Sequence, residues 1–366
     1  MRTPVAARLG VEYPIFAFSH CRDVVAAVSG AGGVGVLGTT RQSPEILEYD
    51  LRWLDEHLGD RPYGVDLLFP VGTEGDDLVE LAAQIPRRHW DFVAQLQAQF
   101  NIPPPKDAER YSSSGDNLIP THQRAREKMD IVLGHQPALV ASALGPVPSD
   151  IVRQLRQHDC VIAGLVGAPG QAGRHVAAGA DLIIAQGTEA GGHTGEISTL
   201  VLVPQVVDEV APVPVLAAGG IGDGRQIAAA LALGAQGVWT GSVWLATVES
   251  DVEEPVKRKL VAATSRDTVR SKCLTGKPIR QLRTPWVDAW QEEGAPPALP
   301  SPLQGILVRD SMTGMFDFEV EPVMGTAVGQ IVGTVHEVRR VRQVMDDLIE
   351  GFIEGASRVA ALLDEG

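Results

Sequence analysis

An α/β architecture, a (β/α)8 TIM barrel with an insertion after the third strand and a helical C-terminal extension, is predicted by three features of this 366-residue chain. Short apolar runs alternate with helical periodicities along most of its length. The runs are near-continuously aliphatic, as strands buried on both faces of a parallel sheet must be. Eight such units fall within roughly the 250 residues that a closed barrel needs. Closure is not written in the periodicity, so an open sheet of the same strands is the alternative.

The units follow in order. Pro14 to Ser19 reads as the first strand, with a helix from Arg22 to Ala31. Gly32 to Gly38 is the second strand, its glycines suited to tight approach. In "SPEILEYDLRWLDEHLG", Ser43 is the N-cap, Pro44 takes the first helical position and Gly59 stops the helix. "YGVDLLFP" is the third strand, ended by Pro70. Ala138–Gly145, Val161–Gly167 and Asp181–Gly187 are strands four to six, with helices "PSDIVRQLRQHD", "APGQAGRHVAAG" and "TLVLVPQVVDEVA", the last holding Pro204. Pro214–Gly220 and Gly237–Gly241 complete the set around the helix "DGRQIAAALALG".

Two segments break the alternation. Residues 84–134 are too long for a connection and contain Pro103–Pro105 and Ser112–Gly115. They read as helical pieces around an irregular loop, either a lid or a surface elaboration. The barrel is thus expected over residues 1–250 and the extension over 251–366. The extension opens on a basic stretch (Arg266, Arg270, Lys272, Lys277, Arg280, Arg283) that reads as a solvated face, with contact to an acidic carrier protein or a nucleotide phosphate as the alternative. It closes on an apolar stripe (Val335, Val338, Val341, Met345, Leu348, Phe352, Val359) suited to packing on the barrel, with a second subunit of a homo-oligomer as the alternative.

Composition narrows the function. Hydrophobic residues make up 44% and aromatics 5%, so the core is mostly aliphatic. Acidic residues outnumber basic ones, 46 to 31, for a net charge of −15. Such a surface repels phosphate backbones and anionic membranes. The three scattered cysteines, Cys21, Cys160 and Cys273, form no metal pattern and suit a reducing, cytoplasmic compartment. No apolar leader and no run near 18 apolar residues is present, which points away from secretion or a membrane span.

In a barrel of this kind the chemistry sits at the C-terminal ends of the strands. Three polar, glycine-rich clusters gather there: Gln186 to Gly195, Ala217 to Gly224, and Thr240 to Ser242. Gly219, Gly220 and Gly241 would let main-chain N–H groups approach a ligand, and Ser242 adds a hydroxyl and is expected to begin a helix. Together they form a phosphate site between the last two strands; either cluster alone would read as tight turns. His193 is placed beside whatever fills the mouth, with Gly191 and Gly192 leaving room for a flat ligand. An imidazole there can accept or donate a proton, although most lone histidines are structural. Asp66 interrupts an apolar strand and needs donors, from a ligand N–H or a structural pair. Ser142 sits within the fourth strand, and His20 and Cys21 follow the first. The remaining histidines (His57, His89, His122, His135, His158, His175, His336) read as surface groups. No metal-ligand spacing, nucleophile elbow or Walker loop occurs.

The motifs "AAVSGAGGVGVLG", "YGVDLL", "QGTEAGGHTG" and "AAGGIGDGRQIAAALALGAQGVWTGS", with "DTVRSKCLTGKPIRQLRTPW" in the tail, resemble the nitronate monooxygenase (2-nitropropane dioxygenase-like) family. These are FMN-dependent barrels related to FMN-containing enoyl-ACP reductases and NAD(P)H:quinone reductases. The combination of "EAGGH" and "AAGGI" marks the flavin superfamily but not the reaction within it. The resemblance implies that Gly219, Gly220, Gly241 and Ser242 hold the FMN phosphate. It places Gln186 and Gly187 along the ring or ribityl chain, and His193 facing the substrate as base or orienting residue. It implies oxidation of small nitronates with dioxygen, with NAD(P)H-dependent reduction of enoyl thioesters or quinones as the alternative. A non-redox phosphate-binding barrel is the third reading. Three positions depart from the family pattern: His20 replaces a Met, Asp66 an Asn, and "GSVW" (Gly241–Trp244) stands where "GTRF" carries an Arg.

Overall fold

The computed structural model describes residues 1–40, 42–69, 78–106 and 122–364. Its strands are β1 (Ile15–Ser19), β2 (Val34–Gly38), β3 (Tyr63–Leu67), β4 (Leu139–Ser142), β5 (Val161–Val166), β6 (Leu182–Gln186), β7 (Gly192–His193), β8 (Val215–Ala218) and β9 (Gly237–Thr240). All except β7 pair in parallel around a closed barrel. The ring shuts where β9 returns to β1, with Ile15 opposite Val238 and Ala17 opposite Thr240. That pairing excludes the open sheet. All eight expected strands are the barrel strands, because each carries side chains that the interior and the helical layer both bury. Phe16, Val36, Leu139, Ile184 and Trp239 fill the interior, and α1 (Pro4–Leu9) lays Val5 against them.

The outer layer is α2 (Arg22–Gly30), α3 (Pro44–Leu58) and the barrel helices that follow β3 to β8. Helix α3 starts and stops as its sequence dictates: Ser43 Oγ accepts from the Ile46 N–H at 3.3 Å, and Gly59 turns the chain at φ 56°. Between β3 and β4 lie α4 (Leu78–Ala83), α5 (Arg87–Phe100) and α6 (His122–His135). The structure redraws the expected insertion here. Helix α6 buries Ala125, Met129 and Val132 against Leu47, Leu51 and Leu54 of α3, so it is the barrel's own third helix. Pro70, Ser112–Gly115 and the His122 side chain lie outside the described residues.

The later helices are α7 (Ser149–Gln157), α8 (Pro169–Ala177), α9 (Thr199–Val210) and α10 (Gly224–Ala232). The tail adds α11 (Glu254–Ala262), β10 (Thr268–Ser271), β11 (Ile279–Leu282), α12 (Pro285–Ala289), α13 (Leu303–Asp317) and α14 (Val341–Asp364). Strands β10 and β11 form an antiparallel hairpin, and β11 extends onto β7, pairing Ile279 with His193 and Arg280 with Gly192. A separate apolar cluster unites the α4–α5 segment with the tail, packing Leu81, Val93 and Leu96 on Trp286, Ile306 and Met315. Val341, Met345 and Leu348 of α14 are buried beside Val24 and Ile227, so the stripe packs on the barrel. It is shorter than expected: Val335 and Val338 precede the helix, and Val359 is exposed. Among the described residues no helix is long and apolar enough to cross a membrane.

Candidate functional site

The loops after β6, β8 and β9 meet at one end of the barrel. Gly219 and Gly220 adopt φ 92° and 69° after β8, a conformation that favours glycine. Beyond them, the N–H groups of Gly220 and Ile221 donate to no acceptor among the described residues, and neither do those of Gly241, Ser242 and Val243. A Cβ on Gly241 would meet nothing nearer than the Phe18 carbonyl at 3.9 Å, so that side of the turn is open. Ser242 does not begin an α-helix as expected; it opens a single 3-10 turn, Ser242–Trp244. A helix dipole is therefore absent, and an anion would be held there by the bare N–H groups themselves. The Ser242 hydroxyl accepts from the Gly329 N–H at 2.8 Å and keeps its own hydrogen to donate.

The β6 loop is built around Glu189. Its carboxylate accepts from the Thr199 N–H at 3.0 Å and from Thr199 Oγ1 at 3.0 Å, capping the N-terminus of α9. Gln186 ends β6, half-buried and paired with Ala218. Gly187 is a glycine because a Cβ would strike Thr199 and Glu189, and a Cβ on Gly219 would lie 3.0 Å from the Gly187 carbonyl. These two make room for the loop itself. Gly191 likewise leaves no space for a ligand, since a Cβ there would lie 2.8 Å from Val328 and Gly329. Only Gly192 is open, with nothing within 4 Å of its Cβ position. The segment at Gly329 straps the mouth, as the Gln330 N–H also donates to the Glu189 carbonyl at 2.9 Å. The motifs missed this strap because its glycine has no chemical signature. Gly329→Val should displace it and cost about 1–3 kcal/mol by overpacking, read as a lower urea midpoint.

His193 lies on β7, its ring open to solvent on the wall of the mouth, with Nε2 2.8 Å from Thr275 Oγ1. The Thr275 hydroxyl donates to the Lys277 carbonyl at 3.3 Å. It therefore accepts from His193, which places the hydrogen on Nε2 and leaves Nδ1 free to take a proton. Crowding by surrounding atoms and then the Lys277 ammonium hold the imidazole below its ordinary pKa, in its basic form.

Asp66, near the C-terminal end of β3, is 5% exposed, and no donor reaches its carboxyl among the described residues. Burial alone pushes its pKa up to about 8. Its main-chain carbonyl accepts from the Thr39 N–H and Oγ1. Ser142 is fully buried, and its hydroxyl donates to the Gly145 carbonyl within its own turn. His20 Nδ1 lies 2.8 Å from the Gly38 carbonyl, and the Cys21 thiol is buried with its pKa pushed up by desolvation.

Four surface assignments are corrected. His175 is buried in the space that Gly164 leaves on β5. His89 is buried, with Nε2 3.0 Å from the Pro297 carbonyl. His135 bridges Asp55 and Glu48. The basic stretch is not uniformly solvated: Arg280 is only 8% exposed, its Nε donating to the Thr188 carbonyl at 2.9 Å. His89, His135 and Arg280 gained partners from distant segments that local polarity does not reveal.

A family model described as nitronate monooxygenase matches residues 5–351. The chain belongs to the nitronate monooxygenase family. As a family member it is an oxidoreductase. It is similar to a Mycobacterium tuberculosis protein provisionally named a monooxygenase, at 50% identity over 99% of this chain and 100% of that one. It is similar to a Rhodococcus jostii 5-hydroxy-7a-methyl-1-oxo-octahydro-1H-indene-4-carboxyl-CoA dehydrogenase, at 36% identity over 86% of this chain and 75% of that one. Among solved structures, nitroalkane oxidase from Streptomyces ansochromogenes superposes with a TM-score of 0.81 at 25% identity, covering 97% and 99% of the two chains.

Proposed function

We propose that this member of the nitronate monooxygenase family is an FMN-dependent oxidoreductase that oxidises small carbanion-like substrates, alkyl nitronates first among them, with dioxygen as the final acceptor. One observation carries the reading: five main-chain N–H groups at positions 220–221 and 241–243 lack acceptors among the described residues, around the open side of Gly241. Such a cradle suits a phosphate. The buried carboxyl of Asp66, without a donor among the described residues, fits a ligand that supplies its hydrogen-bond partner.

On this reading Gly220, Gly241 and Ser242 hold the FMN phosphate, with Gly187 and Gly219 shaping the loops around it. Gln186 and Asp66 meet the ring or ribityl chain, and Ser142 shapes the adjoining wall. Bound FMN supplies electron acceptance, which no side chain of the chain can. His193 Nδ1 would take the α-proton of a neutral nitroalkane or similar carbon acid and would orient a nitronate, which has already lost that proton, and Thr275 fixes the tautomer that makes this possible. The strap at Gly329 closes the phosphate end against water.

The purified protein should be yellow, and a nitronate added without oxygen should bleach it. A colourless protein that takes up no riboflavin 5′-phosphate would sink the reading. The second reading, NAD(P)H-dependent reduction of enoyl thioesters or quinones, draws support from the two inward-lying arginines of the tail hairpin. Rapid anaerobic bleaching by NADPH or NADH, with none by a nitronate, would favour it.

A further inference from the structure

Helix α6 presents Ala125, Met129 and Val132 to the leucines of α3, and Lys128 falls in the same row at helical spacing. An aliphatic residue would suit that row. Lys128 is instead 7% exposed, and it pairs with no carboxylate among the described residues. The charge that reaches it is a like one, the guanidinium of Arg124 one turn earlier. Burial first, and then this neighbour, pull the ammonium pKa down to about 8. A buried charge without a counter-ion costs stability, and an apolar side chain of similar size in its place is often neutral or stabilising. A charge kept in such a place points to a use in the site.

The ammonium donates to the Thr39 carbonyl at 2.8 Å. Thr39 is the first residue beyond β2, whose last residue, Gly38, stands opposite Asp66. Both donors of Thr39 turn on Asp66: the N–H reaches the Asp66 carbonyl at 3.2 Å and Oγ1 reaches it at 3.0 Å. The Thr39 carbonyl also accepts from the Gln42 N–H at 3.2 Å. Gln42 Nε2 is anchored on Asp50 of α3 at 2.6 Å, and Asp50 is held by Arg22 of α2 at 2.7 Å. Thr39 is thus fixed from three helices, and it fixes Asp66 in turn. The far end of this chain of bonds is the residue whose buried carboxyl has no donor among the described residues.

We propose that Lys128 is a positioning residue of the barrel mouth: it is kept buried and charged to pin Thr39 against the end of β3, and so to fix the Asp66 carboxyl where a bound ligand meets it. The proposal rests on the flavin reading of the mouth and deepens it, because it assigns part of that site to the outer helical layer. An ammonium suits the task. It gives a main-chain carbonyl a charge-assisted hydrogen bond, which is stronger than the one a neutral donor would give.

The test compares wild type with Lys128→Met, which keeps an unbranched apolar stem and removes the charge. In protein stripped of flavin, carbon-13 NMR follows the Asp66 carboxyl, assigned by its loss in Asp66→Asn. Lys128→Met should lower its titration point by about one pH unit or more, because a loosened β2 end admits water to a carboxyl that burial alone has raised. In the protein as purified, the same substitution should hold or raise the thermal midpoint at pH 7. It should also weaken riboflavin 5′-phosphate binding about 10-fold. A site damaged in a protein no less stable is not what a merely structural lysine gives. An Asp66 titration point that Lys128→Met leaves unchanged overturns the proposal, and so does a lowered thermal midpoint. A wild type that takes up no flavin sinks the flavin reading instead, and the Asp66 titration with the midpoint still decides the role of Lys128.

Discussion

His193→Ala is expected to leave the protein folded and its flavin bound while lowering turnover of a neutral nitroalkane about 10²–10⁴-fold, the usual cost of removing a positioned general base. The side chain is exposed on the wall of the mouth and makes one side-chain hydrogen bond, to Thr275, so little of the core depends on it. Its contribution should be visible in pH dependence as well as in rate. The base must be unprotonated, so activity falls as pH drops through the imidazole pKa. Crowding and Lys277 hold that pKa below the ordinary 6.5, and the acid limb of kcat/KM should therefore lie below 6.5. Lys277→Met should move the limb upward, because one of the two depressing causes is gone. Thr275→Val should lower turnover with the limb nearly unmoved, since it frees the tautomer and leaves the charges in place. An acid limb that survives unchanged in His193→Ala would remove this residue from the mechanism.

The barrel was legible because its strands are buried on both faces, which writes them as aliphatic words such as Leu182–Ala185. Helix α3 was legible for a different reason, its cap, its proline and its terminal glycine being local chemistry. What escaped the sequence depends on partners far along the chain. The hairpin strand Thr268–Ser271 is half-exposed at every position and carries a charge, so it shows no strand-like alternation of burial. The two residues of β7 become a strand only because β11 lies beside them. The same holds for the site. Glycine motifs located the mouth but could not separate Gly241, open to a ligand, from Gly191, filled by the strap. Asp66 was visible as a misfit in an apolar run, while the absence of any donor around it among the described residues is a tertiary fact.

Asp66→Asn should stabilise the flavin-stripped protein, by an amount that grows with pH. The wild-type carboxyl titrates near 8 in the folded protein against an ordinary 3.8, because burial disfavours its charge and no donor compensates. The native state thus keeps its proton to higher pH than the unfolded chain does. Stability is fully present below the ordinary carboxyl value, declines as pH rises from about 4, and levels off above about 8. Over that window the linked penalty is roughly 6 kcal/mol as an upper bound, at about 1.4 kcal/mol for each tenfold change in proton affinity. Water entering the vacant mouth screens part of it, so about 2–4 kcal/mol is the expected gain above pH 8, with almost none near pH 4. Urea unfolding of both proteins at acidic, neutral and alkaline pH reads the difference directly. Asparagine offers both a donor and an acceptor in the same shape, so the variant should still take up flavin. Parallel stability curves for the two proteins across pH would mean that the carboxyl is solvated or paired, and Asp66 would then lose its place in the cofactor site.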